Sequence, residues 1–289
     1  MLASLSQPTH RGYFNIAPTH TRKVSIMIAN YHTHTWRCHH AEPDEEAYIR
    51  TAYASGIRVL GFADHVPYPY DTIDKNYVSG PRMSCDQLPD YMNTLTALKE
   101  KYKGEIDIHI GFEAEYYPDL FPHLLEMLKP WPCEYFILGQ HFLGNEIGEI
   151  YCGVPTQDPK VLYAYREQCR AAMDTGAFSY FAHPDLLYLP SDEKAYRSHA
   201  RELCRIAKSY GVPIEFNLLG YIGHRHYPSP AFWEEASVVG NKVILGWDAH
   251  MAGWMSQTDK EAEAVAYLNS LGLHPIDFLT FMSPYDHRK

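Results

Sequence analysis

The feature that most constrains this chain is a repeated unit. A short apolar run is followed by a His, Asp or Glu, and then by a longer stretch at helical spacing. The runs lie at 27–32, 57–63, 106–113, 134–139, 178–183, 212–217 and 243–248. Short apolar runs bounded by turn signals read as strands buried on both faces. Helix patterns occupy 44–55, 86–102, 119–128, 158–175, 194–210, 230–238 and 258–271. Asp86 and Asp158 stand where N-caps belong, and Gly56, Gly104, Gly176 and Gly211 where helices should stop. Seven strand–helix units in series predict an α/β fold with a parallel sheet and right-handed crossovers. Of the two parallel architectures, the closed barrel fits better than the doubly wound sheet. Polar residues end nearly every strand instead of clustering at one switch point.

Composition narrows the class. The 289 residues are 46% hydrophobic and 21% charged, as in a globular domain. No apolar window is long enough to span a bilayer, so no membrane role is expected. The net charge of −10 argues against a nucleic-acid-binding face. The tyrosines and tryptophans do not interleave with basic residues, which argues the same way. Cys38, Cys85, Cys133, Cys152, Cys169 and Cys204 form no CxxC pair and read as free thiols of a cytoplasmic protein. Residues 1–26 contain no acidic residue and no apolar core of a secretory signal. They read as a disordered or non-native extension, with an organellar transit peptide as the alternative. The single domain is expected over 27–289.

Histidine is the outlier, with 17 copies. The first run ends in His32-Thr33-His34, where strand alternation would point both imidazoles the same way. Cys38, His39 and His40 follow. The second run ends in Asp64-His65, the third in Glu113-Ala114-Glu115 and the fourth in Gln140-His141. The fifth ends in His183-Pro184-Asp185 and the seventh in Asp248-Ala249-His250. A charged group at the end of a buried strand needs a partner, and six such ends at one face imply a multinuclear metal site. The nitrogen and oxygen donors suit two or three divalent transition metal ions, Zn, Mn or Fe, in a catalytic centre. Adjacent cations of this kind can hold a bridging hydroxide and clamp a phosphoryl group.

These residues carry a family resemblance. HTHT with a histidine at position 40, ADH at 63–65, GFEAEY at 111–116, GQH at 139–141, AHPD at 182–185 and WDAH at 247–250 resemble the motifs of the PHP (polymerase and histidinol phosphatase) family. The likeness runs from residue 28 to about 252 and points to the histidinol-phosphatase branch. It implies a distorted (β/α)7 barrel with a trinuclear metal centre. Carried over by position, His32, His34, Glu113 and Asp248 would bind the first ion. Glu113 would bridge to a second ion held by His141 and His183, and His40, His65 and His250 would bind the third. Asp64 and Asp185 would orient imidazoles, whereas Cys38 reads as a packed thiol.

A phosphatase also needs fixed positive charge. Arg225, in the stretch after the sixth strand, resembles the branch's phosphate-binding position. His226 and Arg82 are weaker candidates. The branch often has a basic residue beyond the HxD motif, where this chain reads Leu186-Leu187-Tyr188-Leu189-Pro190. The 64–86 loop, with Tyr68, Tyr70 and Tyr77, is read either as a lid or as an ordinary covering loop. Glu115 is read as a support for its neighbours or as a partner for a substrate amine.

The implied activity is hydrolysis of L-histidinol phosphate, a step of histidine biosynthesis, by a metal-bridged hydroxide. Glu113, Asp248 and His183 are the catalytic candidates, and Asp248 or His183 would serve the leaving group. The alternatives are a PHP-type phosphatase acting on a nucleotide, sugar phosphate or phosphotyrosine, a metal amidohydrolase, or a non-enzymatic metal-binding module. No GxGxxG, P-loop or GxSxG motif competes with these readings. Oligomeric state is not encoded in any of these features.

Overall fold

The computed structural model describes residues 27–148 and 150–285. Residues 1–26, including the expected extension, lie outside the described residues. Seven parallel strands form one sheet in chain order: β1 (Ala29–Asn30), β2 (Val59–His65), β3 (Asp107–Ala114), β4 (Tyr135–Leu138), β5 (Phe178–Phe181), β6 (Ile214–Asn217) and β7 (Val243–Gly246). The sheet closes on itself just past β1 and β7. The His34 amide donates to Ala249 at 3.0 Å, and the Ala249 amide donates to His32 at 3.1 Å. The architecture is therefore a (β/α)7 barrel, distorted because β1 is short and β5 pairs with β6 at a single register position.

The helices are α1 (Glu45–Ala54), α2 (Leu88–Lys101), α3 (Phe121–Leu128), α4 (Pro159–Asp174), α5 (Glu193–Tyr210), α6 (Leu218–Ile222), α7 (Pro230–Val239) and α8 (Thr258–Ser270). Six follow the sequence patterns closely. The start of α2 differs, because Asp86 is not its cap. Ser84 and Gln87 instead form a capping box around a turn of 3₁₀ helix at Cys85–Gln87. Helix α6 was not legible. Asn217 ends β6 and caps α6 at once, its side chain accepting from the Gly220 amide at 2.8 Å.

Two cores result. A large one joins the outward faces of the strands to the helices. A small one fills the barrel, built from Ala29, Tyr31, Ala63, Tyr135, Ile137, Tyr180, Ala182 and Ile244. Its lower end is closed by Ile276, Leu279 and Phe281 of the C-terminal segment. Above it, at the C-terminal ends of the strands, lies the site.

Candidate metal centre

Strand geometry brings the distant histidines together. Tyr135, Ile137, Gly139 and His141 follow one another at every second position, so the side of β4 that lines the barrel core also delivers His141. Ala63 and His65 repeat the arrangement on β2. Two other strands break the alternation. Beyond the two residues of β1 the backbone is irregular, so Tyr31 joins the barrel core while the adjacent His32 joins the site. After β5, Ala182 faces inward and so does His183, which takes a left-handed backbone with φ 30°. Asp248 is also left-handed, at φ 48°. Non-glycine residues in this region are strained by about 1–3 kcal/mol each, and such strain clusters at functional sites.

All nine predicted ligands converge. Glu113, 1% exposed, is the hub. Its Oε1 lies 2.8 Å from His183 Nε2 and 3.4 Å from His141 Nε2. Its Oε2 lies 3.0 Å from His65 Nδ1 and 3.6 Å from Nε2 of both His32 and His34. Asp248 Oδ1 sits 3.1 Å from His34 Nε2 and 3.2 Å from His250 Nδ1. His40 stacks on His250 at 4.6 Å between ring centroids. Gly139 makes this crowding possible, since a Cβ there would fall 1.9 Å from Glu113 Oε1. Gly246 does the same for Glu215, at 2.2 Å.

The hydrogen bonds behind the cluster are consistent. Nδ1 is tied to Glu215 in His32 (2.8 Å), to Asp64 in His34 (3.3 Å) and to Glu115 in His141 (3.0 Å). In His40 and His250 it is tied to the carbonyls of Cys38 (2.6 Å) and Asp248 (3.0 Å). Carboxylates and carbonyls only accept, so Nδ1 carries the proton in each ring. In the neutral ring Nε2 is then the nitrogen that keeps its lone pair. That is the form in which imidazole binds a metal, oriented from behind.

The inward atoms have little else to do. Nε2 of His32, His34 and His250, Nδ1 of His183 and Oδ1 of Asp248 are buried without a hydrogen-bond partner. Unpaired buried polar atoms are costly, and Nε2 of His32 and His34 both face Asp248 Oδ1, at 3.6 and 3.1 Å. Burial opposes a proton on His32, yet the carboxylates of Glu215, Asp248 and Glu113 overcome it and push its pKa up to about 10, so a cation bound there would displace a proton from Nε2. Burial and neighbouring imidazoles hold His65 down to about 3 and His40 to about 4, so both stay neutral and able to ligate. Glu113 and Asp248 remain well below the usual carboxylate range despite burial, because imidazoles surround them. Close donor groups include His32–His34–Glu113, His32–His183–Asp248 and His34–His65–His250. The residues present fit divalent cations bound by nitrogen and oxygen.

A cavity of about 560 Å³ opens over the cluster. Arg225 lines it, its guanidinium donating to the Tyr227 hydroxyl at 2.8 Å. The weaker cationic candidates fare differently. His226 is absent from the lining; its Nε2 donates to the Leu186 carbonyl at 2.6 Å and its ring stacks on Tyr188. Arg82 reaches the cavity, but its guanidinium is consumed by Glu115 (2.9 and 3.1 Å) and Glu146 (2.7 Å). Glu115 thus supports His141 and Arg82 while also lining the cavity. Asp185 does not orient an imidazole. It accepts from the Ser229 amide at 2.6 Å and the Trp233 indole at 3.1 Å, fixing the start of α7.

Three contributors were missed in the sequence. Glu215 and Asn217 lie on β6, the one strand that supplies no predicted ligand. Asn217 Nδ2 bridges Glu215 Oε1 (2.7 Å) and Asp248 Oδ2 (3.1 Å). A Glu and an Asn at alternate positions of an apolar strand were the available signal. Glu146 gave none, because it sits in a loop.

A model of the PHP domain matches residues 30–218. The chain belongs to the PHP family. Three further likenesses extend the match. A Deinococcus radiodurans protein named "Probable histidinol-phosphatase" is 27% identical over 261 residues, covering 87% of this chain and 96% of that protein. A Schizosaccharomyces pombe protein of the same name is 29% identical over 252 residues, covering 78% and 81%. The crystal structure of histidinol phosphate phosphatase from Lactococcus lactis, complexed with zinc, L-histidinol and phosphate, superposes with a TM-score of 0.65 at 20% identity. It covers 92% of this chain and 100% of that one, and shows that the PHP fold is shared. Among the described residues no helix is long and apolar enough to cross a membrane.

Proposed function

We infer that this PHP chain is a metal-dependent phosphomonoesterase that converts L-histidinol phosphate to L-histidinol and phosphate. The observation that carries this reading is the cluster of buried, inward-facing donor atoms without partners, with Arg225 at the rim of the same cavity. The names of the Deinococcus, Schizosaccharomyces and Lactococcus relatives support the choice of substrate.

Two or three divalent ions, Zn, Mn or Fe, would fit the donor set. His32, His34, Glu113 and Asp248 would hold the first, Glu113, His141 and His183 the second, and His40, His65 and His250 a third. When bound, the cations supply a nucleophile at neutral pH and neutralise charge on the phosphoryl oxygens. The chain does the rest. Glu215, Asp64 and Glu115 fix the tautomers of His32, His34 and His141. Arg225, steadied by Tyr227, binds the phosphate through its fork of donors. Asp248 and His183 line the cavity and are the candidates that would take up the nucleophile's proton and pass it to the departing alcohol.

A second reading, the same hydrolysis of another phosphate ester, draws on the apolar stretch 186–190. Leu186 lines the cavity where the branch often carries a basic residue. The test is phosphate release by metal-loaded protein from histidinol phosphate and a panel of nucleotides, sugar phosphates and phosphotyrosine. Highest kcat/KM on histidinol phosphate, with KM raised by Arg225→Ala, is expected. A fully metallated protein without activity on any phosphate ester would overturn the reading. The free thiols, five of six buried, accord with a reducing, cytoplasmic setting.

A further inference from the structure

The metal cluster accounts for one end of a substrate but not for the other. Beside His141 the chain doubles back. The Cys152 amide donates to the His141 carbonyl at 2.7 Å and the Leu143 amide to the Ile150 carbonyl at 3.0 Å. Phe142 and Tyr151 are bridged in this antiparallel ribbon, with ring centroids 5.2 Å apart. Both rings line the cavity, and Tyr151 is 44% exposed. Large apolar faces left open over a polar site are unusual unless something covers them.

The ribbon is held firmly. Gln140 Nε2 donates to the Phe142 carbonyl at 2.7 Å, and Gln168 Oε1 accepts from the Gly144 amide at 2.9 Å. Glu146, farther along, accepts from Tyr70 (3.0 Å), Tyr77 (2.8 Å), Ser79 (2.6 Å) and Arg82 (2.7 Å). The 64–86 loop is thereby locked to the ribbon instead of standing free as a lid. Gly153 leaves room for the Tyr151 ring, since a Cβ there would lie 2.4 Å from its Cζ. Two aromatic rings packed side by side next to the phosphate site form an apolar wall for a flat, weakly polar ring.

We propose that Phe142 and Tyr151, fixed by the Glu146 lock, bind the substrate's ring and set selectivity for ring-bearing over ringless phosphate esters. This rests on the histidinol phosphate reading and adds the specificity-determining pair to it. The ring is remote from phosphorus, so its binding energy should appear chiefly in KM.

The test compares kcat/KM on histidinol phosphate with that on O-phosphoethanolamine, an amino-alcohol ester without a ring. In the metal-loaded wild type the ratio should exceed tenfold. Phe142→Ala and Tyr151→Ala should each cut the ratio at least fivefold through KM for the ring-bearing ester, and Phe142→Trp should restore most of it. Glu146→Gln, which frees the ribbon, should lower the ratio by a smaller factor. A ratio near one in the wild type, or an unchanged ratio in both alanine variants, overturns the proposal while leaving the phosphatase reading intact. Turnover of neither ester, with other phosphate esters hydrolysed, overturns the substrate reading and this proposal with it.

Discussion

The two ends of the barrel are made by the same strands and obey opposite rules. At the lower end every polar atom of the Tyr135 side chain is satisfied. Its hydroxyl donates to the Tyr31 carbonyl at 2.8 Å and approaches the Phe62 carbonyl at 3.2 Å, while Phe281 stacks flat on the ring at 4.7 Å. The backbone there is ordinary. At the upper end, His183 and Asp248 of the cluster are left-handed and five buried polar atoms named above have no partner. The lower end closes the fold mostly through contacts made within the protein, the buried Tyr180 hydroxyl of the barrel core being an exception. On the proposed function the upper end would be completed by cations, which would relieve its strain and unmatched charge.

Substitutions should separate the two ends by readout. The largest effect is expected from Glu113→Gln, which removes the hub charge. Turnover should fall by about 10³-fold or more, since the hub supports several kcal/mol of metal-based stabilisation. Circular dichroism and melting should show the barrel intact. Tyr135→Ala should do the reverse, destabilising the fold by about 3–5 kcal/mol in denaturant titration. Protein that remains folded should keep its metal content. If Tyr135→Ala emptied the metal site in folded protein, the ends would not be independent.

Smaller changes sharpen the contrast. Glu215→Gln keeps the shape behind His32 but removes the carboxylate, and metal affinity should drop about 10–100-fold by competition with a chelator. Glu134, on the lower half, offers a pH test. Burial would raise its pKa, but hydrogen bonds from His109 (2.7 Å), Lys99 (2.7 Å) and the Ile110 amide (3.0 Å) bring it down to about 2 from 4.5. A depressed folded pKa stabilises above pH 4.5, and the contribution is lost as pH falls toward 2. Because the carboxylate is 28% exposed, the difference between wild type and Glu134→Gln should be about 1 kcal/mol at pH 7. It should vanish near pH 2, as read by melting curves.

The contrast also explains what was legible. Order of strands, barrel closure and the upper-end ligands follow from local signals, an apolar run and the residue that ends it. His65, Glu113, His141 and Asp248 were visible for that reason. Positions that depend on three-dimensional neighbours were not. Glu215 looked like any strand residue until His32 was seen against it. Arg82 read as a weaker phosphate-binding candidate because Glu146, one of the carboxylates that hold it, is 64 residues away in sequence. His226 and Asp185 were assigned by adjacency to the motifs, but backbone geometry turned one toward the Leu186 carbonyl and the other toward α7. The strand pattern 27–32 ran past the true end of β1 because an irregular backbone can bury side chains as well as a strand does.

The most direct test is anomalous diffraction from crystals of zinc- or manganese-loaded protein. The account predicts peaks within coordination distance of Glu113, one shared with His32, His34 and Asp248 and one with His141 and His183, and a further peak among His40, His65 and His250. Fully active crystals with no anomalous peak inside this cluster would contradict it.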